Sequence, residues 1–138
     1  MLKIKDRILL GVLGGLMGAI PGRLLNTIEY NLVFIDSKYG QMAASLFTSK
    51  NKSSTPAGKL LGSVANQLLA ATTGIAVTYT LSATGRDHAA LKGMGIGSLY
   101  WFLLYGLSAQ LGKKSKNRKP TSALFSLADH LIFGITAS

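Results

Sequence analysis

The sequence predicts an all-α fold, an integral membrane bundle of four transmembrane helices. Two observations lead to this prediction. Four apolar, glycine-rich stretches follow one another along the 138 residues, and most of the 15 Lys and Arg residues lie in the segments between them. We therefore treat residues 1–138 as a single transmembrane domain, whose predicted spans are Ile8–Ile28, Leu60–Thr84, Ala90–Gly112 and Thr121–Ser138.

The second and third stretches carry the membrane prediction most directly. No charged residue occurs from Leu60 to Gly85, or from Gly93 to Gly112. A helix needs about 20 apolar residues, at ~1.5 Å each, to cross a bilayer. A soluble helix of this length would show a charged stripe, and neither stretch has one.

The first stretch is interrupted by Pro21 and Arg23. We expect a helix with a kink or local break at Pro21, because proline removes a backbone hydrogen bond. The alternative is a re-entrant hairpin over Ile8–Ile35 that turns at Pro21. A hairpin would bury Arg23 near the bilayer centre, where a charge costs several kcal/mol.

The distribution of basic residues sets the expected topology. Four spans place both termini and the Arg86–Lys92 loop on one side with five basic residues, against nine on the other. The positive-inside rule then puts the N-terminus outside. The hairpin would place twelve basic residues inside and two outside, with the N-terminus inside. The side on which the N-terminus lies therefore stays open. Within the longest loop, Asp36–Gly58, we expect an interfacial helix over Tyr39–Phe47.

The net charge of +10 points to lipid headgroups rather than to nucleic acid. A basic run directly follows the third apolar stretch, where it would anchor a helix at an anionic membrane surface. The run lacks the aromatic or glycine interleaving that is typical of nucleic-acid binding. The predicted headgroup contacts are Lys113, Lys114, Lys116, Arg118 and Lys119.

Glycines spaced by four residues predict close helix packing. Membrane helices associate through such small-residue contacts and through hydrogen bonds, because lipid removes the hydrophobic drive between them. The spacing suits packing within the chain, against a second copy, or against a larger membrane complex, and we expect a homo-oligomer. The predicted packing residues are Gly11, Gly14, Gly15, Gly18, Gly22, Gly93 and Gly97.

Polar residues within the apolar stretches are the candidates for function, since ionisable groups there are costly and usually serve a purpose. The first span should approach the fourth at mid-depth, which makes Arg23 and Asp129 a predicted ion pair. The second span has a small and polar seam that suits either interhelical hydrogen bonds or the wall of a hydrated pathway. The candidate pathway or ion-pair residues are Arg23, Asn26, Glu29, Asn66, Thr73, Asp129 and His130.

Motifs for catalysis or cofactor binding are weak. The sequence contains no cysteine and no HExxH, and its glycines match neither a P-loop nor a dinucleotide fingerprint. Ser126 and His130 are four residues apart, a spacing that arises easily by chance. We therefore predict a non-enzymatic, multi-pass protein of the cell membrane without metal or cofactor. Its expected function is an oligomeric channel-like or transporter-like assembly for a small solute; the alternative is a structural or accessory membrane subunit.

Overall fold

The protein is all-helical in the described residues. The computed structural model describes residues 6–110 and 119–138, and it contains no strand within those ranges. This confirms the predicted all-α class. The elements are α1 (Arg7–Asn31), α2 (Tyr39–Ser45), α3 (Lys50–Ser53), α4 (Pro56–Thr84), α5 (Ala89–Gln110) and α6 (Pro120–Ala137).

The ends of the long helices have identifiable local causes. The Asp6 carboxylate accepts hydrogen bonds from the backbone N–H of Ile8 at 2.8 Å and of Leu9 at 3.1 Å, which starts α1. Thr55 caps α4 in the same way through Gly58. Gly85 ends α4 with a positive φ of 84°, a conformation that glycine adopts without steric cost.

Helix α1 is continuous over 25 residues and contains Pro21 in its interior. The re-entrant hairpin is therefore not formed, because it would need a chain reversal at this residue. Proline removes one intrahelical hydrogen bond, to the Met17 carbonyl. The turns on both sides are held by packing, since Gly18, Ala19 and Gly22 are all buried.

The first helix runs antiparallel to both α4 and α6. Against α4, Gly11 faces Ile75, and Gly15 faces Ala70, five residues before Ile75 in the chain. Against α6, the Thr136 hydroxyl donates a 2.9 Å hydrogen bond to the Gly18 carbonyl. The first and last helices of the chain are thus direct neighbours.

Helices α5 and α6 are also antiparallel, and α5 follows α4 after a tight turn. Gly93 meets Gly134, while Gly97 meets His130. At the turn, the Lys92 ammonium donates to the carbonyl oxygens of Thr84 at 3.0 Å and Gly85 at 3.1 Å. The four long helices therefore alternate in direction around a ring.

The predicted glycine packing differs from residue to residue. A Cβ at Gly15, Gly93 or Gly97 would collide with a backbone carbonyl of the facing helix. A Cβ at Gly14 or Gly22 would instead lie 3.5 or 3.6 Å from the nearest carbonyl oxygen, which is an ordinary contact distance. The close approaches all lie within the chain, and they also depend on glycines that the sequence pattern did not single out, namely Gly62, Gly74 and Gly134.

The expected short helix in the long loop is present as α2. It does not lie apart from the bundle, because Ala43 and Ala44 are buried and Gly40 packs on Gly62 of α4. Helix α2 thus covers the first half of α4, the longest helix, at 29 residues.

Among the described residues, α1 and α4 are long and apolar enough to cross a membrane, and Thr121–Ala137 is a shorter apolar helix. Only 28% of the apolar 18-residue stretch of α1 is buried, and only 33% of the corresponding stretch of α4. Large apolar side chains instead lie on the outer surface, with exposures of 68% for Met17, 62% for Leu68, 68% for Phe102 and 69% for Leu124.

Candidate functional site

A cavity of about 130 Å³ lies where α1, α2, α4, α5 and α6 meet. Its volume corresponds to about four water molecules at liquid density. Apolar residues such as Ala19 and Phe133 form one part of its wall, and polar side chains form another. Five of the predicted pathway residues line it: Arg23, Asn66, Thr73, Asp129 and His130.

Asp129 is the most buried ionisable residue of this cavity, with 2% of its surface exposed. Its Oδ2 accepts a 2.7 Å hydrogen bond from the Tyr39 hydroxyl. Its Oδ1 is buried and has no hydrogen-bond partner in the part of the chain that the structure describes. Buried polar atoms are almost always hydrogen bonded, so an unpaired carboxylate oxygen marks this position as exceptional.

Arg23 and Asp129, both described, line the same cavity but do not form the predicted ion pair. The Arg23 guanidinium donates from Nη2 to Oε1 of Gln67 on α4. Because Gln67 and Tyr39 supply the nearer partners, each ionic group is hydrogen bonded to a neutral side chain. The Nε of Arg23 is buried and unpaired among the described residues.

Tyr39 is a site residue that the sequence pattern did not reveal. Its backbone N–H donates to Oδ1 of Asn26 at 3.0 Å, which fixes the start of α2 against α1. Its ring meets the His130 imidazole edge-on at 5.7 Å. Burial, and then the nearby Asp129 carboxylate, raise the pKa of Tyr39 above its ordinary value, so the phenol keeps its proton and remains a donor.

One ring nitrogen of His130 has a defined hydrogen-bond partner. Its Nδ1 lies 2.7 Å from the carbonyl oxygen of Ser126, which can only accept. We assign the proton to Nδ1 on this ground, which leaves Nε2 as an acceptor. The contact uses the Ser126 carbonyl and not its hydroxyl, so the Ser126–His130 spacing does not produce a nucleophile–base hydrogen bond.

Glu29 is buried in α1, but it borders neither this cavity nor the second one, which lies near the start of α6. Its Oε2 has no hydrogen-bond partner among described residues. Its charge is the smallest of the influences that raise the pKa of Tyr39. The neighbouring Thr27 and Tyr30 are exposed, so the inner face of α1 is formed by Gly22, Asn26 and Glu29.

A second cavity of about 120 Å³ adjoins the first near the end of α1 and the start of α6. Its wall includes Asn26, Asp36, Lys119 and Ser122. Asn26 is a sixth predicted pathway residue that borders a cavity. Four residues border both cavities and separate them: Tyr39, Met42, Tyr105 and Ser126.

Near the other end of the bundle, glycines bring neighbouring helices into backbone contact. There, Gly74 lies against Gly11 and Gly15, while Gly18 lies against Ala137. Helices α5 and α6 make an equally close contact at Gly93. The second cavity therefore lies on the side of the central cavity that is away from these glycine contacts.

The predicted headgroup residues Lys113, Lys114, Lys116 and Arg118 lie outside the described residues. The remaining member, Lys119, takes part in a structural contact. Its backbone N–H donates to Oδ2 of Asp36 at 2.9 Å, and its ammonium donates to the Val33 carbonyl. Ser122 also donates to Asp36, at 3.3 Å, so the carboxylate caps the start of α6 from a distant part of the chain.

No family model, curated protein or solved structure matches this chain. Within the described ranges, no group of three or more His, Asp or Glu residues is arranged to hold a metal ion. The central cavity and its polar atoms are therefore the features of the chain that bear on its function.

Proposed function

We propose that this chain is a multi-pass membrane protein whose central cavity forms part of a path for a small polar solute. In this proposal α1, α4, α5 and α6 all span the bilayer. The single observation that carries it is the cavity itself, where Asp129 and Arg23 are held apart by neutral partners. Ionisable groups at membrane depth mark solute or ion pathways in many transporters.

The outer surface supports a lipid environment. Large apolar side chains such as Met17, Phe102 and Leu124 are exposed on three different helices. A helix from the core of a soluble protein would bury such residues, whereas lipid solvates them without cost. The helices alternate in direction, as the connections of a four-span protein require.

The one-sided polar space supports a transport role. The second cavity adjoins the central cavity at the Asp36 end, and close glycine contacts join the helices near the opposite end. We propose that the path is open at the Asp36 end and closed at the glycine end, which is the arrangement that alternating access requires. Opening of the sealed end would need α1 to move against α4 and α6.

Oligomerisation remains part of the proposal, through the apolar outer faces. The close glycine contacts join helices of the same chain. They therefore do not favour the alternative of a structural subunit that assembles with other chains through its glycines. We propose that copies associate by their large exposed side chains, as on the outer face of α1.

Reconstitution into liposomes tests the proposal. Stopped-flow light scattering after an osmotic step measures the entry of glycerol, urea, glycine, ethylammonium and acetate. We expect at least one solute to enter faster than in protein-free liposomes. Asp129→Asn should lower this flux at least tenfold, while Asp87→Asn, the same change in an exposed turn, should leave it unaltered.

Two results would contradict the proposal. The first is entry of every solute at the protein-free rate. The second is normal flux through folded Asp129→Asn protein, which would mean that the path avoids the central cavity.

A further inference from the structure

We infer that the central cavity binds a small zwitterion, with its ammonium group at Asp129 and its carboxylate at Arg23. This inference rests on the proposed function and names the class of solute for the same site. It begins from the two ionic side chains, which border one cavity and do not neutralise each other.

The unpaired atoms are chemically complementary to such a ligand. Asp129 offers the free acceptor Oδ1, while Arg23 Nε and Trp101 Nε1 are buried donors without a hydrogen-bond partner in the described residues. All three residues line the cavity. An ammonium group supplies donors for the first atom, and a carboxylate supplies acceptors for the other two.

The charge balance favours a zwitterion over a simple ion. Burial of one uncompensated charge is costly, and a second charge repays the cost only when it is well paired. A cation alone would leave Arg23 without a counter-charge, and an anion alone would do the same at Asp129. A neutral molecule that carries both charges pairs each side chain with its opposite.

The Asp129 carboxylate and the Arg23 guanidinium are each hydrogen bonded to a neutral side chain rather than to each other. Tyr39 holds Asp129 through Oδ2, and Gln67 holds Arg23 through Nη2. Each partner occupies one atom of the ionic group, while a second atom of each group, Asp129 Oδ1 and Arg23 Nε, is buried without a hydrogen-bond partner in the described residues.

The wall and the volume limit the ligand further. Trp101 and Tyr105 stack with their ring centroids 5.2 Å apart, and Tyr39 and Tyr100 also line the cavity. Aromatic faces attract ammonium groups. At about 130 Å³, the space suits a molecule of the size of glycine, alanine or glycine betaine.

Binding to the full-length protein in detergent or nanodiscs tests the inference. Isothermal titration would compare glycine, alanine and glycine betaine with ethylammonium and acetate at equal concentration. We expect at least one zwitterion to bind tenfold more tightly than either single-charge compound. Arg23→Gln and Asp129→Asn should each abolish this preference, and the matched exposed changes Arg86→Gln and Asp87→Asn should retain it.

Trp101→Phe supplies a milder variant should either charge-removing change prevent folding. It keeps an aromatic ring but removes the Nε1 donor, so we expect several-fold weaker zwitterion binding. Circular dichroism and size-exclusion chromatography would establish that each variant is folded before titration.

The outcomes separate the two proposals. Zwitterion binding without flux in proteoliposomes would overturn the transport proposal and leave this site in place. Flux of other solutes with no zwitterion preference would overturn the inference and leave transport in place. Equal or tighter binding of ethylammonium or acetate would identify a simple cation or anion site, and an absence of binding by every compound would also overturn the inference.

Discussion

The Tyr39 hydroxyl donates a 2.7 Å hydrogen bond to the Asp129 carboxylate, across 90 residues of sequence. The bond joins the short helix α2 to the middle of α6. The other carboxylate oxygen, Oδ1, has no hydrogen-bond partner in the described residues. Because the Tyr39 backbone is bound to Asn26, a single residue of the long loop connects α1, α2 and α6.

Removal of this hydroxyl should destabilise the protein. In Tyr39→Phe, both oxygens of the buried Asp129 would lack a protein donor, at a cost of about 1–3 kcal/mol. Equilibrium unfolding in mixed micelles would measure the loss. Tyr79→Phe, at a residue 45% exposed on α4, is the matched control and should change little. If Tyr39→Phe costs as much in an Asp129→Leu background, where the acceptor is absent, the two residues are not energetically coupled.

Two neighbouring glycines of α5 should respond in opposite ways to alanine. A Cβ at Gly93 would collide with the Gly134 backbone, whereas nothing lies within 4 Å of a Cβ at Gly95. We expect Gly93→Ala to destabilise by about 1–3 kcal/mol through overpacking. Gly95→Ala should be neutral or stabilising by up to about 1 kcal/mol, because alanine is the better helix former. Thermal unfolding of the two variants makes the comparison, and equal stability would argue against the α5–α6 contact.

The Asp36 carboxylate should stabilise the start of α6. In Asp36→Ala, the Lys119 N–H and the Ser122 hydroxyl lose their acceptor, which should cost about 0.5–2 kcal/mol, as for other helix caps. Hydrogen exchange should rise at residues 121–124. Asp6→Ala removes the cap of α1 and serves as the control, since its effect should stay in the first turn of that helix. Unchanged exchange at the start of α6 would contradict the assignment.

The absence of cysteine makes a direct topology test available. Single cysteines at Ser54, Asp87 and Ser138 would be labelled in intact cells with a membrane-impermeant maleimide. Four spans require Asp87 and Ser138 to share one side, opposite Ser54. Labelling of all three positions from the same side would rule out this arrangement.

The turn between α4 and α5 should show a simple pH dependence. The Lys92 ammonium lies 3.1 Å from Asp87 Oδ1, and this hydrogen bond and charge hold the pKa of Asp87 below its ordinary value of 3.8. A lowered folded-state pKa means that the contact stabilises the turn above the unfolded pKa. This contribution disappears as the pH falls through the folded pKa. An NMR titration should show the pKa of Asp87 returning toward 3.8 in Lys92→Met, and an unchanged value would mean that Lys92 is not the cause.

The helices were predictable because their signals are local. Uncharged length and glycine spacing marked α1, α4, α5 and α6 to within a few residues. The small helix α2 was also expected, since its apolar run stands out within a polar loop. In α1, Pro21 suggested a break that packing on both sides prevents.

The pairing of polar groups was much less predictable. The sequence showed that Arg23 and Asp129 were unusual, and both do line the cavity. It could not show that Gln67 and Tyr39 would bind them, because a tyrosine at the start of a short loop helix carries no sign of its distant partner. The unpaired nitrogen of Trp101 likewise depends on three-dimensional placement alone.

The contact between α1 and α6 has a consequence for biosynthesis. Helix α1 is made before α6 and is completed by it, through Thr136 on Gly18 and the crossing of Asp129 near Gly22. Until the 18 residues of α6 have been made, the small and polar inner face of α1 has no partner on that side. A nascent chain that stops short of α6 would expose Asn26 and Glu29 and would be a natural target for quality control. The ring closes only once α6 has been made, and the cavity first exists at that moment.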